Sequence, residues 1–373
     1  MIQTIPNTST LAARLRERIK SEGPIPFCDW MEAALYDPQD GYYCRTDRTK
    51  WGREGDYRTS PERSSLFAAT FARYFAKLYG ELGSPTRWTI VEAGAGDGRF
   101  ASGVLQTLQR SFPDVFAATS YVIDEVSSHS RSLARERLQP FADRVELKKL
   151  VDAEVDPGVV FSNELLDAFP VHRVTKQDTG LREFYVGVGD DGNFEWLLGA
   201  PRPDSSPRLL EYFEECGVQL GEGQIAEVSL EIEEWLRRVA DKMRKGYVVT
   251  VDYGLAAEDL CSATANQGGT LRGFHRHEFV DDLLARPGEQ DLTATVNWSF
   301  VKSVGARLGL EIVEFERQDR FLLAAGLLEQ LEVEARQCKG EAGRLRISTA
   351  AREMILPDGM ASHFQVLVQT KTS

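Results

Sequence analysis

The stretch VEAGAGDGRF, residues 91–100, sets Gly94, Gly96 and Gly98 at every second position. A turn so rich in glycine lets backbone N–H groups come close to a small ligand. A dinucleotide site would need G-x-G-x-x-G and an acid about twenty residues further on. Here the third glycine arrives one residue early and its expected place holds Arg99. The first acids closing a following strand are Asp124 and Glu125, too far along for that fingerprint. Pyrophosphate is therefore a poor fit, and a dehydrogenase is the least favoured reading. A ligand that joins adenosine to a zwitterionic amino-acid tail fits better, which describes S-adenosylmethionine (SAM). N–H groups at the start of the following helix would receive its carboxylate. Glu92, at the strand end, is expected to face its ammonium, and Glu125 to accept from both ribose hydroxyls.

A second group follows a strand at FSNELLDAFP, residues 161–170. Asn163 offers both donor and acceptor atoms. Glu164 and Asp167 are three apart, so on a helical turn they would share a face. An ordinary helix N-terminus would also favour acids here, but it does not account for the whole cluster. Methyl transfer is an in-line displacement at a sulfonium carbon, so the enzyme mainly holds the nucleophile on axis. For an arginine acceptor the guanidinium stays cationic, with a pKa above about 12. Glu164 and Asp167 could orient it and draw its charge away from the attacking nitrogen. Asp252 in VDYG closes a later strand, either as a cap or within reach of the site. His172 reads as a base or as a structural residue. His275 and His277 flank Arg276 and make only a weak metal pattern; a substrate loop suits them better.

The elements that would position these residues alternate. RWTIVEAGAG, YVIDEVS, VVFSN and YVVTVDYG read as strands, separated by the helices FASGVLQTLQRSF, SHSRSLARERLQPF and EIEEWLRRVADKMRKG. This pattern predicts an α/β fold with a parallel sheet covered on both faces and ligands at the strands' carboxyl ends. FSNELLDAFPV is expected to pass from strand through loop into a helix start. Residues 10–36 read as two short helices broken by Gly23, Pro24 and Pro26, and Ser60-Pro61-Glu62 as a further helix start. A hairpin turning at Asp191-Gly192 is expected, and HFQVLVQTK as a last strand. The division expected is a helical and loop region, 1–85, covering the donor site, and a core, 86–373, with insertions at about 176–225 and 255–300.

The totals narrow the function. The 373 residues carry a net charge of −13, with a pI near 5.1. That argues against a broad nucleic-acid footprint, which needs a basic field. Cys28, Cys44, Cys216, Cys261 and Cys338 are scattered, odd in number and without a CxxC pair; they are neither a disulfide framework nor a zinc site. Reduced thiols suggest a cytoplasmic location. The first residues lack the apolar core of a secretion signal and only faintly resemble a transit peptide. The longest nearly pure apolar run, FLLAAGLL, is too short to cross a membrane.

Seven segments occur here in order: IPFCDWMEAALYDPQDGYY, WGREGDYRTSPE, VEAGAGDGRFASGVL, SNELLDAFPVHR, VDYG, GGTLRGFHRH and DLTATVNWSF. Together they resemble the MidA family of SAM-dependent methyltransferases, over roughly residues 24–370. The resemblance implies a class I SAM-dependent methyltransferase fold, Rossmann-like with a seven-stranded sheet, an N-terminal helical region and insertions. It assigns the loop GREGDYRTSPE to the donor site, where Asp56, Thr59 and Ser60 supply polar groups. It also implies a protein arginine as acceptor, since mitochondrial members methylate an arginine of a respiratory complex I subunit and serve complex I assembly. A protein substrate of that kind, or an analogue, is the expected partner, and a homodimer is compatible with the sequence. The double-glutamate and Thr-His-Trp loops of the main arginine methyltransferases are missing, so arginine chemistry rests on the MidA resemblance. A SAM-binding assembly chaperone without catalysis and a small-molecule methyltransferase are the alternatives.

Overall fold

Four apolar runs and a short edge strand become the parallel part of the fold, as seen in a computed structural model that describes residues 10–46, 65–178, 180–262, 266–275, 278–337, 340–356 and 363–372. The strands are β1 (Trp88–Ala93), β2 (Thr119–Asp124), β3 (Val145–Leu147), β4 (Gly158–Asn163) and β5 (Gly246–Leu255). β6 (Glu311–Arg317) and β7 (Phe364–Lys371) complete the path, in the order β3-β2-β1-β4-β5-β7-β6. A further two-residue strand, Val296–Asn297, pairs with the end of β5. The expected strands and intervening helices are all present. β7 differs from the all-parallel expectation: it runs antiparallel to both β5 and β6, so the sheet is mixed.

Ile90 and Val91 point to opposite faces of β1 and both are fully buried, as helices on each side require. On one side the helix Arg99–Ser111 buries Phe100, Val104, Leu105 and Leu108 against the sheet. Phe100 stacks on Phe161 of β4 with ring centroids 4.3 Å apart. The helix Ser65–Glu81 lies over it so closely that a Cβ on Gly103 would come 2.6 Å from Ala68 Cβ. Although grouped by sequence with the N-terminal region, this helix packs on the sheet through Phe67, Phe71 and Phe75. Ser60-Pro61-Glu62, and with it Asp56, Thr59 and Ser60, lie outside the described residues.

The helices Leu11–Glu22 and Phe27–Tyr36 make a separate core with the insertions: Leu15, Phe27, Trp30 and Met31 meet Val186, Leu284 and Leu292. The first insertion, with the strand His172–Gln177 that leads into it, supplies four strands of a five-stranded sheet, and Ile25–Pro26 is the fifth. Its hairpin, Gly180–Val188 with Phe194–Gly199, turns at Asp191-Gly192 as expected, with Gly192 left-handed at φ 79°. The second carries three short strands, Arg272–His275, Glu278–Val280 and Asp291–Thr293. The expected helix start after β4 is not formed. Residues 164–171 are an irregular turn that leads straight into the strand His172–Gln177. No helix among the described residues is long and apolar enough to cross a membrane.

Candidate active site

The parallel register brings the strand ends into one row. Ala93 pairs with Asp124 and Ser162, and Asn163 pairs with Val251. Every loop leaving this edge therefore opens on the same side of the sheet.

After β1 the chain turns through Gly94, Gly96 and Gly98 at φ 70°, 55° and 76°. These left-handed conformations cost a side-chain-bearing residue about 1–2 kcal/mol each. The Gly94 N–H donates to the Asp124 carbonyl at 2.8 Å, fixing the turn to β2. The Gly96 N–H donates to Glu125 Oε2 at 2.8 Å, and the Ser127 N–H to Oε1 at 2.7 Å. Two backbone donors thus lock the Glu125 carboxylate at the lip of the glycine turn. Glu92, at the end of β1, is buried. It is 5% exposed and accepts the Tyr121 hydroxyl at 2.7 Å beneath the turn. Burial, then the charges of Asp97 and Glu125, push its pKa up to about 8. Burial disfavours its charged form, and a cation brought to the turn would favour that form again.

Beyond β4, Glu164 takes the left-handed φ of 51°, rare for a residue with a side chain. Its N–H donates to the Val251 carbonyl at 2.9 Å, and its Oε1 accepts from Asn163 Nδ2 at 3.0 Å. Glu164 and Asp167 do not share a helix face, because the turn is held by a side chain instead of helical carbonyls. Asp252 Oδ2 accepts the N–H groups of Leu165, Leu166 and Asp167 at 3.2, 2.9 and 3.4 Å, and Oδ1 that of Tyr253 at 2.9 Å. Asp252 therefore acts as a cap. Burial, then the Glu164 charge, raises its pKa to about 8 against the pull of those donors.

Asp167 lies deeper. It is 5% exposed, and its Oδ1 has no hydrogen-bond partner among the described residues. Asn163 Oδ1 and Ser162 Oγ, on the adjoining strand end, also lack one. Burial, followed by the charges of Asp252 and Asp291, holds the Asp167 pKa well above the usual carboxylate range.

Five residues that the sequence reading did not single out complete this wall. The Tyr36 hydroxyl donates to the Ala168 carbonyl at 2.9 Å, and the Tyr43 hydroxyl to Asp291 Oδ1 at 2.7 Å. The two rings stack with centroids 5.5 Å apart. Tyr253 lies under the Arg272 guanidinium, 5.0 Å from its ring centroid. The signal was present in YDPQDGYY, VDYG and DLTATV, but their contacts span up to 248 residues. His172 Nδ1 sits 2.7 Å from the buried Glu183 Oε1 inside the first insertion, which makes it structural. His275 Nδ1 is 2.7 Å from the Glu289 carbonyl oxygen, and His277 lies outside the described residues. No group among the described residues could hold a metal ion.

A 3-2-1-4-5-7-6 sheet with a glycine turn after its first strand and an acid after its second defines a class I SAM-dependent methyltransferase. A family model described as "Putative S-adenosyl-L-methionine-dependent methyltransferase" matches residues 70–316, and the chain belongs to that family. A crystal structure of a Burkholderia thailandensis protein bound to S-adenosyl-homocysteine superposes with a TM-score of 0.82 at 31% identity, covering 96% of this chain and 91% of that one. Among curated relatives, the protein arginine methyltransferase NDUFAF7 homolog of Drosophila melanogaster is 28% identical over 80% of this chain and 71% of its own length. The human protein arginine methyltransferase NDUFAF7 is 27% identical over 77% of this chain and 67% of its own. Both names carry the word mitochondrial. The expectation of a cytoplasmic location is corrected accordingly: scattered reduced thiols suit a mitochondrial interior equally well.

Proposed function

We propose that this SAM-dependent methyltransferase acts on an arginine side chain of a protein, with Asn163, Glu164 and Asp167 placing the guanidinium. Gly94, Gly96, Gly98 and Glu125 hold the donor, Glu125 as acceptor for the ribose hydroxyls, and the motif resemblance assigns Asp56, Thr59 and Ser60 to the same site. The observation that carries the acceptor assignment is the buried Asp167 carboxyl, one oxygen of which lacks a partner among the described residues. Such a group costs free energy until a donor reaches it. A guanidinium brings five N–H donors and a permanent charge, and it would favour the ionised form that burial disfavours. Bound SAM supplies an electrophilic methyl group on a cationic sulfur. Asn163 and Glu164, tied to each other at 3.0 Å, would then orient one guanidinium nitrogen toward that methyl. Asp167 is placed to take the proton that the methylated nitrogen releases. The relatives named as arginine methyltransferases support the acceptor class. The motif resemblance extends this to a complex I subunit or an analogue as target.

The test supplies methyl-labelled SAM and a mitochondrial protein extract to the purified full chain, then reads the labelled residue by mass spectrometry. Label on arginine is expected. Label on another residue type would refute the arginine reading. SAM binding with no transfer to any protein or small molecule would favour the assembly-chaperone alternative. Glu164→Gln should keep SAM affinity and lower transfer on the order of a hundredfold; equal loss of both would move Glu164 to the donor side.

A further inference from the structure

The acceptor wall is built by three parts of the chain that lie far apart in sequence. Asp167 and Ala168 belong to the turn after β4, Tyr36 and Tyr43 to the N-terminal region, and Asp291 to the second insertion. Hydrogen bonds join them directly: Tyr36 to the Ala168 carbonyl, Tyr43 to the Asp291 carboxylate, and the Ala294 N–H to the Asp167 carbonyl at 2.9 Å. Both tyrosines are half-buried and lie within reach of the charges of both Asp167 and Asp291. The stacked rings therefore stand beside two carboxylates from different parts of the fold. Asp252 and Glu164 adjoin them on the sheet side, and Tyr253 with Arg272 on the insertion side. A rigid pair of aromatic rings next to two carboxylates suits a flat cation that donates in several directions. A guanidinium meets that description, while an ammonium offers a compact point charge.

We infer that Asp291, aimed by the Tyr43 hydroxyl, is a second acceptor carboxylate on the same wall as Asp167, and that this pair selects arginine over lysine. The inference rests on the arginine reading above and extends it to the N-terminal region and the second insertion. Those parts then determine which side chain is accepted, and the sheet supplies the donor.

The experiment titrates the full chain, saturated with S-adenosylhomocysteine, with Nα-acetyl-arginine amide and separately with Nα-acetyl-lysine amide, by calorimetry. The wild type should prefer the arginine probe. Asp291→Asn, which keeps the Tyr43 hydrogen bond, should weaken the arginine probe on the order of tenfold or more and leave S-adenosylhomocysteine affinity unchanged. Tyr43→Phe, which removes one hydroxyl, should weaken it severalfold. A wild type without preference for arginine would overturn the arginine reading itself. A wild type with that preference, retained in both variants, would overturn the role of Asp291 alone. Loss of S-adenosylhomocysteine binding in both variants would show a merely structural role and overturn it as well.

Discussion

Neighbouring glycines in the turn after β1 carry different loads. A Cβ on Gly94 would meet only the movable end of Leu165, at 3.0 Å, whereas one on Gly98 would press on Ala134 and Leu138 at 3.1 Å. Both residues are left-handed, so each valine variant bears backbone strain. Gly98→Val adds overpacking between two helices, a cost of about 1–3 kcal/mol. Its melting temperature should drop more than that of Gly94→Val, whose main loss should be SAM binding. Thermal denaturation and SAM calorimetry on the two proteins separate the effects, and the reverse ranking would sink the assignment. Glu92 gives a prediction in pH. Its folded pKa of about 8 lies above the unfolded value of about 4.3. Between these values the folded state holds a proton that the unfolded chain has released. Its contribution to stability is complete below about pH 4 and is lost as pH rises toward 8. Glu92→Gln, which still accepts from Tyr121, should remove this dependence and exceed the wild type at pH 8 by on the order of a few kcal/mol. Urea denaturation at pH 5 and pH 8 measures it; parallel pH profiles for the two proteins would refute it.

The turn at residues 164–171 shows how an element can mislead when read locally. NELLDAF has helical spacing and acids suited to a helix N-terminus. Its amides, however, go to Asp252, 85 to 87 residues away. A carboxylate that takes three amides removes the need for helical carbonyls, and the left-handed Glu164 re-aims the chain. Replacing Asp252 with Asn would set an NH2 group against either these amides or the Tyr253 N–H. One buried donor must then go unsatisfied, at about 1–3 kcal/mol. Asp252→Asn should therefore lower the melting temperature and speed hydrogen exchange at Leu165 to Asp167, while β1 and β2 keep their protection. Unchanged exchange there would show that the cap is dispensable. The sheet was legible because its signals are local: apolar runs, a glycine turn, amphipathic helices at regular intervals. The glycine turn and the acid after β2 were legible for the same reason, whereas spacing could not show that Glu92 is buried against Tyr121. Tyr36, Tyr43 and Asp291 were not legible, since nothing local in a tyrosine indicates which distant carboxylate it will meet.

At the scale of the whole molecule, two cores divide the work. The sheet's apolar layers hold the glycine turn and Glu125, whereas the smaller core around Phe27, Trp30 and Met31 holds the insertions together, and with them the proposed acceptor wall. Trp30 belongs wholly to the second: it is fully buried, stacks with Phe27 and meets Phe194 edge-on at 6.1 Å. Trp30→Ala should cost about 3–5 kcal/mol locally. If the two cores open separately, as sub-global units of a fold do, that cost falls on the insertions. Hydrogen exchange should accelerate across residues 180–199 and 272–293, and hold in β1, β4 and β5. SAM affinity should change little, while methyl transfer to protein falls steeply, because Asp291, Tyr36 and Tyr43 lose their fixed places and the donor turn keeps its own. Uniform loss of protection, with SAM binding and transfer declining together, would instead mean a single cooperative unit. Acceptor recognition could then not be altered independently of donor binding.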